Sequence, residues 1–302
     1  MKTKIFTFIK PSETATMFSH KIARFISNEI EEPITWNDDI GKQDLDTLFI
    51  VGGGVPFCSH LFALARAVLR SKNVVYCTND YAATRLPSAN GHGKSPYRAA
   101  FRLRRKRGMK PAKIWSTIAG DDAYVNWNAL AWEPDFTWKE NNKQNLIYYG
   151  SWRKRRIETF DLFFKNPAVK TIIANNSGRF EQRYPQCEHS KLPVENMISL
   201  LGTYGVGLYI EDPKSHVEFH SPACRFYEML GAGLPMAIHR PCKTMLEQAN
   251  FKIPEHQLVD EAADLKRFMK YRIMIAQEQS NWHSDHRYKV VLQFNKAFKE
   301  LD

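Results

Sequence analysis

The chain has 302 residues, 43% of them hydrophobic, which is enough apolar material for one large core or two medium ones. Its formal net charge of +11 indicates a polyanionic partner, although charge alone does not say which. No apolar run reaches the ~18 residues of a membrane-spanning helix, and the five cysteines include no C-x-x-C pair. We therefore expect no membrane span, no zinc site and no disulfide framework. A protein of this kind is expected in a reducing cytoplasm.

The first part of the chain alternates between strand-like and helix-like patterns. The apolar stretch within Lys4 to Lys10 is too short for a signal peptide and predicts an opening strand, and apolar spacing predicts a helix from Ala15 to Ile30. A strand at 46–51, a helix at 59–70 and a strand at 74–77 follow. This repetition predicts an α/β fold with a parallel sheet and helices on both faces.

Two carboxylates follow predicted strands. Glu13 lies at the first strand-to-helix corner, and Asp80 follows the strand at 74–77. Active-site groups of open α/β sheets gather at such positions, and Asp80 is a candidate general base. The simpler alternatives are an acidic residue favouring a helix N-terminus for Glu13 and an Asx-turn or helix cap for Asp80.

A basic segment follows, since residues 81–120 contain no acidic residue. Such a segment is commonly a solvated surface, but its single sign and its place beside Asp80 favour binding to a phosphate backbone. Within it lies a dense run of cations: Lys94, Arg98, Arg102, Arg104, Arg105, Lys106, Arg107, Lys110 and Lys113.

The tryptophan-rich stretch at 121–138 is expected to close a first domain spanning 1–138, and the polar stretch 139–144 to be a linker. A second domain is expected at 145–279. It begins with the apolar strand Leu146–Tyr149, after which a glycine and clustered arginines predict an anion site; the alternative is a surface basic cluster. The candidate residues are Gly150, Ser151, Arg153, Arg155 and Arg156.

The stretch 219–238 predicts a helix followed by a buried strand. Ser221 and Pro222 have helix-start chemistry, and the helix is expected to end at Gly231-Ala232-Gly233. Arg225 and Glu228 are three positions apart and share one face, where a guanidinium suits a diphosphate and a carboxylate suits ribose hydroxyls. The alternative is a plain salt bridge along the helix.

Several short motifs fall in a recognisable order along nearly the whole chain. They are Pro11-Ser-Glu-Thr14, Asp80 with Arg85-Leu-Pro87, Tyr149-Gly-Ser-Trp-Arg153, Leu192-Pro193, Arg225-Phe-Tyr-Glu228 and the tail from Phe294 to Asp302. In this order they resemble the bacteriophage DNA β-glucosyltransferase family. The resemblance implies a GT-B fold, with two Rossmann-like parallel-sheet domains facing a central cleft and a C-terminal helix, residues 280–302, packed back on the first domain.

The resemblance also implies an activity: inverting in-line transfer of glucose from UDP-glucose to the hydroxymethyl group of 5-hydroxymethylcytosine in duplex DNA, with base flipping. It implies a monomer in the cytoplasm of the infected bacterium, acting on phage DNA to evade restriction and needing no membrane.

Residue roles carry over position by position. Asp80 corresponds to the base that deprotonates the acceptor, and Glu13 to the carboxylate beside the sugar. At the diphosphate the expected contacts are Gly150, Ser151, Arg153, Arg225 and one of Arg155 and Arg156. His216 is expected near the phosphates, where the family has a tyrosine. Leu192 is expected to contact uracil, and Glu228 the ribose. The expected DNA contacts are Arg85, Lys94, Arg98, Arg102, Arg104, Arg105, Lys106 and Arg107.

The chain also departs from the family pattern. Four residues, Tyr81 to Thr84, separate Asp80 from Arg85 where the family has one, and two residues are missing between Arg153 and the second phosphate arginine. UDP-arabinose as donor, or another modified base as acceptor, therefore stays open. So do a GT-B glycosyltransferase with a lipid or polysaccharide acceptor and a non-enzymatic DNA-binding protein. Mg²⁺ or Mn²⁺ is expected at most as a helper, because no ligand cluster stands out.

Overall fold

The computed structural model describes residues 2–8, 18–52, 60–78, 96–116, 122–140, 144–175, 177–191, 197–212 and 222–301. The chain forms two compact units, Met1–Ala131 with Lys289–Asp302, and Trp132–Tyr288. The second unit thus starts before the expected boundary at Trp138. The reason is that the backbone amides of Asp135 and Phe136 donate to the Gly231 carbonyl, at 2.9 and 3.0 Å.

The first unit is built on a six-stranded parallel sheet in the order β2-β1-β3-β4-β5-β6. Its strands are β1 Thr3–Thr7, β2 Ile34–Thr35, β3 Leu45–Val51, β4 Ser71–Thr78, β5 Lys113–Ser116 and β6 Ala123–Tyr124. Its helices are α1 Phe18–Ile30, α2 Leu61–Arg70, α3 Pro96–Lys106 and α4 Trp127–Ala131. β3 is buried along nearly its whole length, as expected for a parallel strand covered on both faces.

The second unit repeats this plan with a six-stranded parallel sheet in the order β12-β11-β10-β7-β8-β9. Its strands are β7 Asn145–Tyr149, β8 Lys170–Ala174, β9 Glu188–Ser190, β10 Val206–Tyr209, β11 Met236–His239 and β12 Leu258–Val259. Its helices are α5 Ile157–Phe164, α6 Arg179–Arg183, α7 Met197–Leu201, α8 Cys224–Gly231, α9 Lys243–Gln248 and α10 Ala262–Lys299. Short 3-10 turns lie at 38–41, 154–156, 240–242 and 255–257.

The 38-residue helix α10 confirms the expected helical tail and contributes residues to both units. In the first unit its Phe294 packs against the rings of Phe25, Trp115 and Trp127, with centroid distances of 5.2, 5.8 and 6.1 Å. These aromatic contacts attach the last residues of the chain to the first sheet. In the part of the chain that the structure describes, no helix has the length and apolar character needed to cross a bilayer.

Helix α8 begins later than the sequence predicts. Pro222 lies outside the helix, which starts at Cys224 with Ala223 extended at its N-cap position. The Ala223 amide is bound by the Tyr209 hydroxyl at 3.2 Å, which holds this residue in the extended form. The predicted end is confirmed: Ala232 caps the helix, and Gly233 takes a φ of +69° that suits glycine.

Candidate functional site

The second sheet has its topological switch point between β7 and β10. After β7 the chain goes to β8 and β9 on one side, and then returns to place β10 on the other side of β7. Because all these strands are parallel, Gly150 after β7 and Glu211 after β10 lie at the same edge of the sheet. Ligands of open α/β sheets bind at such a point, beyond the carboxyl ends of the strands.

Gly150 occupies a position that only glycine can fill. Its φ of +150° is disfavoured for other residues. In addition, a Cβ atom at this position would collide with the Arg225 guanidinium. The glycine therefore allows Arg225 to lie directly behind the loop that follows β7.

Arg225 and Glu228 meet on a single residue, Tyr149. Arg225 Nη1 donates to the Tyr149 carbonyl at 3.1 Å, and the Tyr149 hydroxyl donates to Glu228 Oε2 at 2.8 Å. Burial raises the pKa of Tyr149 well above its usual value, with a further increase from the charge of Glu228 and its hydrogen bond. The phenol therefore stays protonated and acts as a fixed donor. Both Arg225 and Glu228 therefore lie at the carboxyl end of β7, which is where the hypothesis that they bind a ligand requires them to be.

The salt-bridge partner of Arg225 is Glu211, not Glu228. Glu211 also pairs with Arg156, whose Nη2 lies 2.6 Å from Glu211 Oε2, and only 5% of Glu211 is exposed. Burial is the largest single influence on Arg225 and tends to lower its pKa, but the charge of Glu211, the nearby Tyr148 and Tyr209 and the hydrogen bond to Glu211 together raise this pKa above its usual value. Two guanidiniums from separate elements thus share one buried carboxylate at the switch point.

Arg155 makes a second pair of the same kind, with Asp212. Glu211 and Asp212 were not singled out by sequence reasoning; the available signal was an acidic pair directly after a buried strand. In the described residues no cluster of three or more His, Cys, Asp or Glu side chains could hold a metal ion. Because the carboxylates of Glu211 and Asp212 are paired with arginines, the described residues of this site do not fit a divalent cation.

A cavity of about 580 Å³ opens between the ends of β7 and β8. Gly150 and Ser151, both predicted site residues, line it, and Arg153 lies exposed next to it in the chain. Three further residues that sequence reasoning missed line its β8 side: Asn175, Ser177 and Arg179. Asn175 joins the two walls, because its amide donates to the Gly150 carbonyl while its Oδ1 accepts from the Ser177 amide at 2.6 Å.

Several predicted site residues lie outside the described residues. These are Glu13, Asp80, Arg85, Lys94, Leu192 and His216, and the side chain of Arg98. The parallel register shows where the chain leaves the sheet: β1 ends at Thr7 and β4 at Thr78, at the same edge. Glu13 and Asp80 follow these two strand ends in sequence, so their roles stay predictions.

The basic helix α3 requires one correction. Arg104, expected to contact DNA, is fully buried and donates to the carbonyls of Val68, Ser71, Lys72 and Lys110 at 2.5 to 3.2 Å. It is long enough to reach the turn between α2 and β4, where these carbonyls converge, and so it acts inside the unit. Its neighbours Arg102, Arg105, Lys106 and Arg107 are exposed.

No protein-family model matches this chain, and no curated protein matches it in sequence. Among solved structures, phage T4 β-glucosyltransferase in complex with its UDP-glucose substrate matches with a TM-score of 0.66 at 18% identity, over 100% of this chain and 99% of that one. The T4 enzyme in complex with UDP and Mn²⁺ matches with a TM-score of 0.61 at 16% identity, over 100% of both chains.

An α-glucosyltransferase in complex with UDP and a 13-mer DNA containing a central A:G mismatch matches with a TM-score of 0.53 at 12% identity, over 99% of this chain and 98% of that one. At such identities the similarity defines the fold. The chain has the GT-B fold of these phage-type glucosyltransferases along its whole length, as the resemblance in sequence predicts.

Proposed function

We propose that this protein is a DNA glycosyltransferase that transfers a sugar from a UDP-sugar to the hydroxymethyl group of 5-hydroxymethylcytosine in duplex DNA. The donor that we propose first is UDP-glucose. The observation that carries the donor half is the convergence of Arg225 and Glu228 on Tyr149, directly behind Gly150. A diphosphate needs guanidinium forks and a ribose needs a hydrogen-bond acceptor, and both stand at the switch point of a parallel sheet.

The acceptor half is supported by charge and by fold. The exposed cations of α3 lie in a segment without acidic residues, on the unit whose strand ends lead to Glu13 and Asp80. Lysines and arginines arranged in this way favour the phosphate backbone of nucleic acid. The full-length matches to the phage T4 enzyme and to a glucosyltransferase in complex with DNA support the same acceptor class.

In the proposed reaction Asp80 takes the proton of the acceptor hydroxymethyl group, and its oxygen attacks the anomeric carbon of the donor. The bond between that carbon and the β-phosphate oxygen breaks, and the electron pair leaves with UDP. Arg153, Arg225 and one of Arg155 and Arg156 neutralise the charge that grows on the diphosphate. A target base in a duplex has to be flipped out before its hydroxymethyl group reaches Asp80.

The test is mass analysis of nucleosides from 5-hydroxymethylcytosine DNA after incubation with the protein and a panel of UDP-sugars that includes UDP-glucose and UDP-arabinose. Asp80→Asn is run beside wild type, and Asp285→Asn, at an exposed helix position, is the matched control. We expect a hexose or pentose mass gain in wild type and in the control, and none in Asp80→Asn. A gain that survives Asp80→Asn would move the base to Glu13, or to Asp121, the first acidic residue after the basic segment. No gain with any donor would overturn the proposed reaction.

A further inference from the structure

A second cavity lies behind the helix that carries the proposed donor residues. It has a volume of about 200 Å³ and lies wholly within the second unit, between α8, α10 and the chain from 251 to 257. Phe226 and Leu230 of α8, four positions apart on one face, line it, whereas Arg225 and Glu228 of the same helix reach the end of β7. The proposed function uses only one face of this helix.

Most of the wall of this cavity is apolar and aromatic. Phe226 meets Phe251 edge-on, with ring centroids 4.5 Å apart, and Phe251 packs against Trp282 at 3.7 Å. Phe226 and Phe251 are buried almost completely, so the core holds these rings in place. An apolar protein cavity of about 150 Å³ already holds a benzene ring. One flat ring of that size therefore fits here.

Gln257 brings an unpaired carboxamide to this wall. Only 3% of Gln257 is exposed, yet its side chain makes no hydrogen bond with any of the described residues. Its backbone amide alone is engaged, and donates to the Pro254 carbonyl at 3.0 Å. A buried carboxamide without a partner is unfavourable, and this one offers a ligand both an acceptor, Oε1, and a donor, Nε2.

Gln279 adds a second donor. Its Oε1 accepts from the Met236 amide of β11 at 3.1 Å, and this contact settles the orientation of the carboxamide, because an N–H group needs an oxygen opposite it. Its Nε2 has no partner among the described residues, on a side chain that is 7% exposed and lines the cavity. The wall therefore offers two amide donors and one amide acceptor.

The rim of the cavity carries one charge of each sign. Lys252 and Glu278 both line it, and both are exposed. Glu278 Oε2 also lies 3.2 Å from His256 Nε2. Opposite charges at the mouth largely cancel, so they attract neither an anion nor a cation, and a neutral ligand is favoured.

We propose that this cavity is a second small-molecule site, which takes a neutral flat ring with an amide edge, that is, a carbonyl group next to an N–H group. The ring packs against the aromatic wall. The carbonyl oxygen has two lone pairs and accepts from Nε2 of both Gln257 and Gln279, while the N–H group donates to Gln257 Oε1. Aromatic carboxamides and lactam rings have this edge.

The position of the site gives its ligand a regulatory role, which rests on the proposed function because it concerns donor binding. A ring that packs against Phe226 and Leu230 holds α8 where Arg225 and Glu228 converge on Tyr149. The ligand therefore raises the affinity for the donor, and by linkage the donor raises the affinity for the ligand by the same factor.

The test is titration of the full chain with benzamide, toluene and benzoate, followed by ligand-detected NMR, for wild type and Gln257→Met. Methionine keeps the length of the side chain and removes the carboxamide. We expect wild type to bind benzamide with a Kd of about 1 mM or tighter. It should bind toluene, which has only the ring, and benzoate, which has no donor, about tenfold or more weakly.

In Gln257→Met the preference for benzamide over toluene should shrink to within about threefold, with toluene affinity unchanged. The melting temperature should not fall, because the substitution removes an unpaired buried carboxamide. Gln277→Met, at an exposed position of α10, is the control and should keep the wild-type preference. Saturating benzamide should raise the UDP affinity of wild type about threefold or more, and the same concentration should lose this effect in Gln257→Met.

The other outcomes separate the parts of the proposal. No benzamide binding, or equal affinities of wild type for benzamide and toluene, would overturn the site, as would an unaltered preference in Gln257→Met. Tighter binding of benzoate would assign the cavity to an anion held by Lys252 and overturn the proposed ligand class. Benzamide binding without a change in UDP affinity would reject the regulatory role. If wild type binds benzamide but no UDP, the proposed donor class is wrong and the second site stands.

Discussion

The hydroxyl of Tyr149 lies 2.8 Å from Glu228 Oε2, and it also lies 3.1 Å from the Arg225 carbonyl. One side chain at the end of β7 thus fixes a carboxylate and a backbone group of helix α8. The Tyr149 carbonyl in turn accepts from the Arg225 guanidinium. The two residues of α8 that we assign to the donor are therefore oriented by a tyrosine that need not touch the ligand itself.

Removing only the Tyr149 hydroxyl should weaken donor binding through Glu228. In Tyr149→Phe the ring still fills its place in the core, but the buried Glu228 carboxylate loses the hydrogen bond from the Tyr149 hydroxyl, which costs about 1–3 kcal/mol. We expect UDP affinity to fall about tenfold or more, and the preference for UDP over 2′,3′-dideoxy-UDP to shrink, because Glu228 is assigned to the ribose hydroxyls. Titration calorimetry with both nucleotides measures this.

The matched control is Tyr288→Phe, since the Tyr288 side chain is 65% exposed. It should leave both affinities at the wild-type value. An unchanged preference for the ribose hydroxyls in Tyr149→Phe would mean that Tyr149 supports α8 without orienting Glu228.

Gly150→Ala should abolish UDP binding, because the new methyl group takes the space of the Arg225 guanidinium and a φ of +150° strains any residue with a Cβ. Gly108 separates these two effects: it has a φ of +68°, but nothing lies within 4 Å of its Cβ position. Gly108→Ala should therefore cost only about 1 kcal/mol of unfolding free energy and leave UDP binding intact. UDP binding by Gly150→Ala at wild-type strength would show that Arg225 is not needed where it lies.

The fold can be predicted from the sequence because its signals are local. β3 and β7 are short apolar runs, and the end of α8 is marked by Gly233, whose φ of +69° few other residues tolerate. Arg225 and Glu228 can be chosen as a pair because a spacing of three places them on one helical face. Each of these inferences needs only neighbours in sequence.

The rest depends on contacts that local sequence does not encode. Glu211 lies 55 positions from Arg156, so nothing in the sequence pairs the two residues. Arg104 is one cation among many in a basic helix, and only the tertiary structure brings four backbone carbonyls to its guanidinium. Arg179 is a single arginine in a short helix, and it gains meaning only from the cavity it lines.

Glu211→Gln should destabilise the protein, because it leaves two adjacent guanidiniums without their shared buried counter-charge. Breaking such a buried pair costs about 3–5 kcal/mol. Chemical denaturation measures the loss. The control is Glu188→Gln: Glu188 pairs with Lys170, and both side chains are about 60% exposed. Breaking this exposed pair should cost only about 0–1 kcal/mol. Saturating UDP should restore part of the loss in Glu211→Gln, since the diphosphate supplies negative charge to Arg225 and Arg156. Equal losses in the two variants would contradict this role of Glu211.

The basic helix allows a clean separation of stability from DNA binding. Arg104→Ala should lower the unfolding free energy by about 3–5 kcal/mol, because several buried carbonyls lose their donor. Arg105→Ala, at the next and exposed position, should leave stability unchanged. It should instead reduce the slope of log affinity for DNA against log salt by about 1 if Arg105 contacts a phosphate. A salt slope equal to that of wild type would remove Arg105 from the DNA surface.

A buried histidine gives the second unit a dependence on pH. His283 is fully buried, and its Nε2 lies 3.2 Å from the Trp132 carbonyl. Burial lowers the pKa of His283 from 6.5 to about 4; the Trp132 carbonyl opposes this shift, and the nearby His286 and Arg287 add to it. The folded protein thus keeps this ring neutral under conditions in which an unfolded chain would protonate it.

His283→Gln should therefore flatten the dependence of stability on pH. Because the folded pKa lies below the unfolded one, the stabilising contribution is complete above pH 6.5 and is lost as the pH falls towards 4. At about 1.4 kcal/mol per pKa unit, the full loss from this residue is about 3 kcal/mol, of which about 2 kcal/mol is expected between pH 7 and pH 4.5. Denaturant titrations at pH 7 and 4.5 measure it, and His256→Gln, whose ring lies partly exposed beside Glu278, is the control and should keep the wild-type difference. If His283→Gln loses as much stability between these two pH values as wild type does, the acid sensitivity of the second unit has another source.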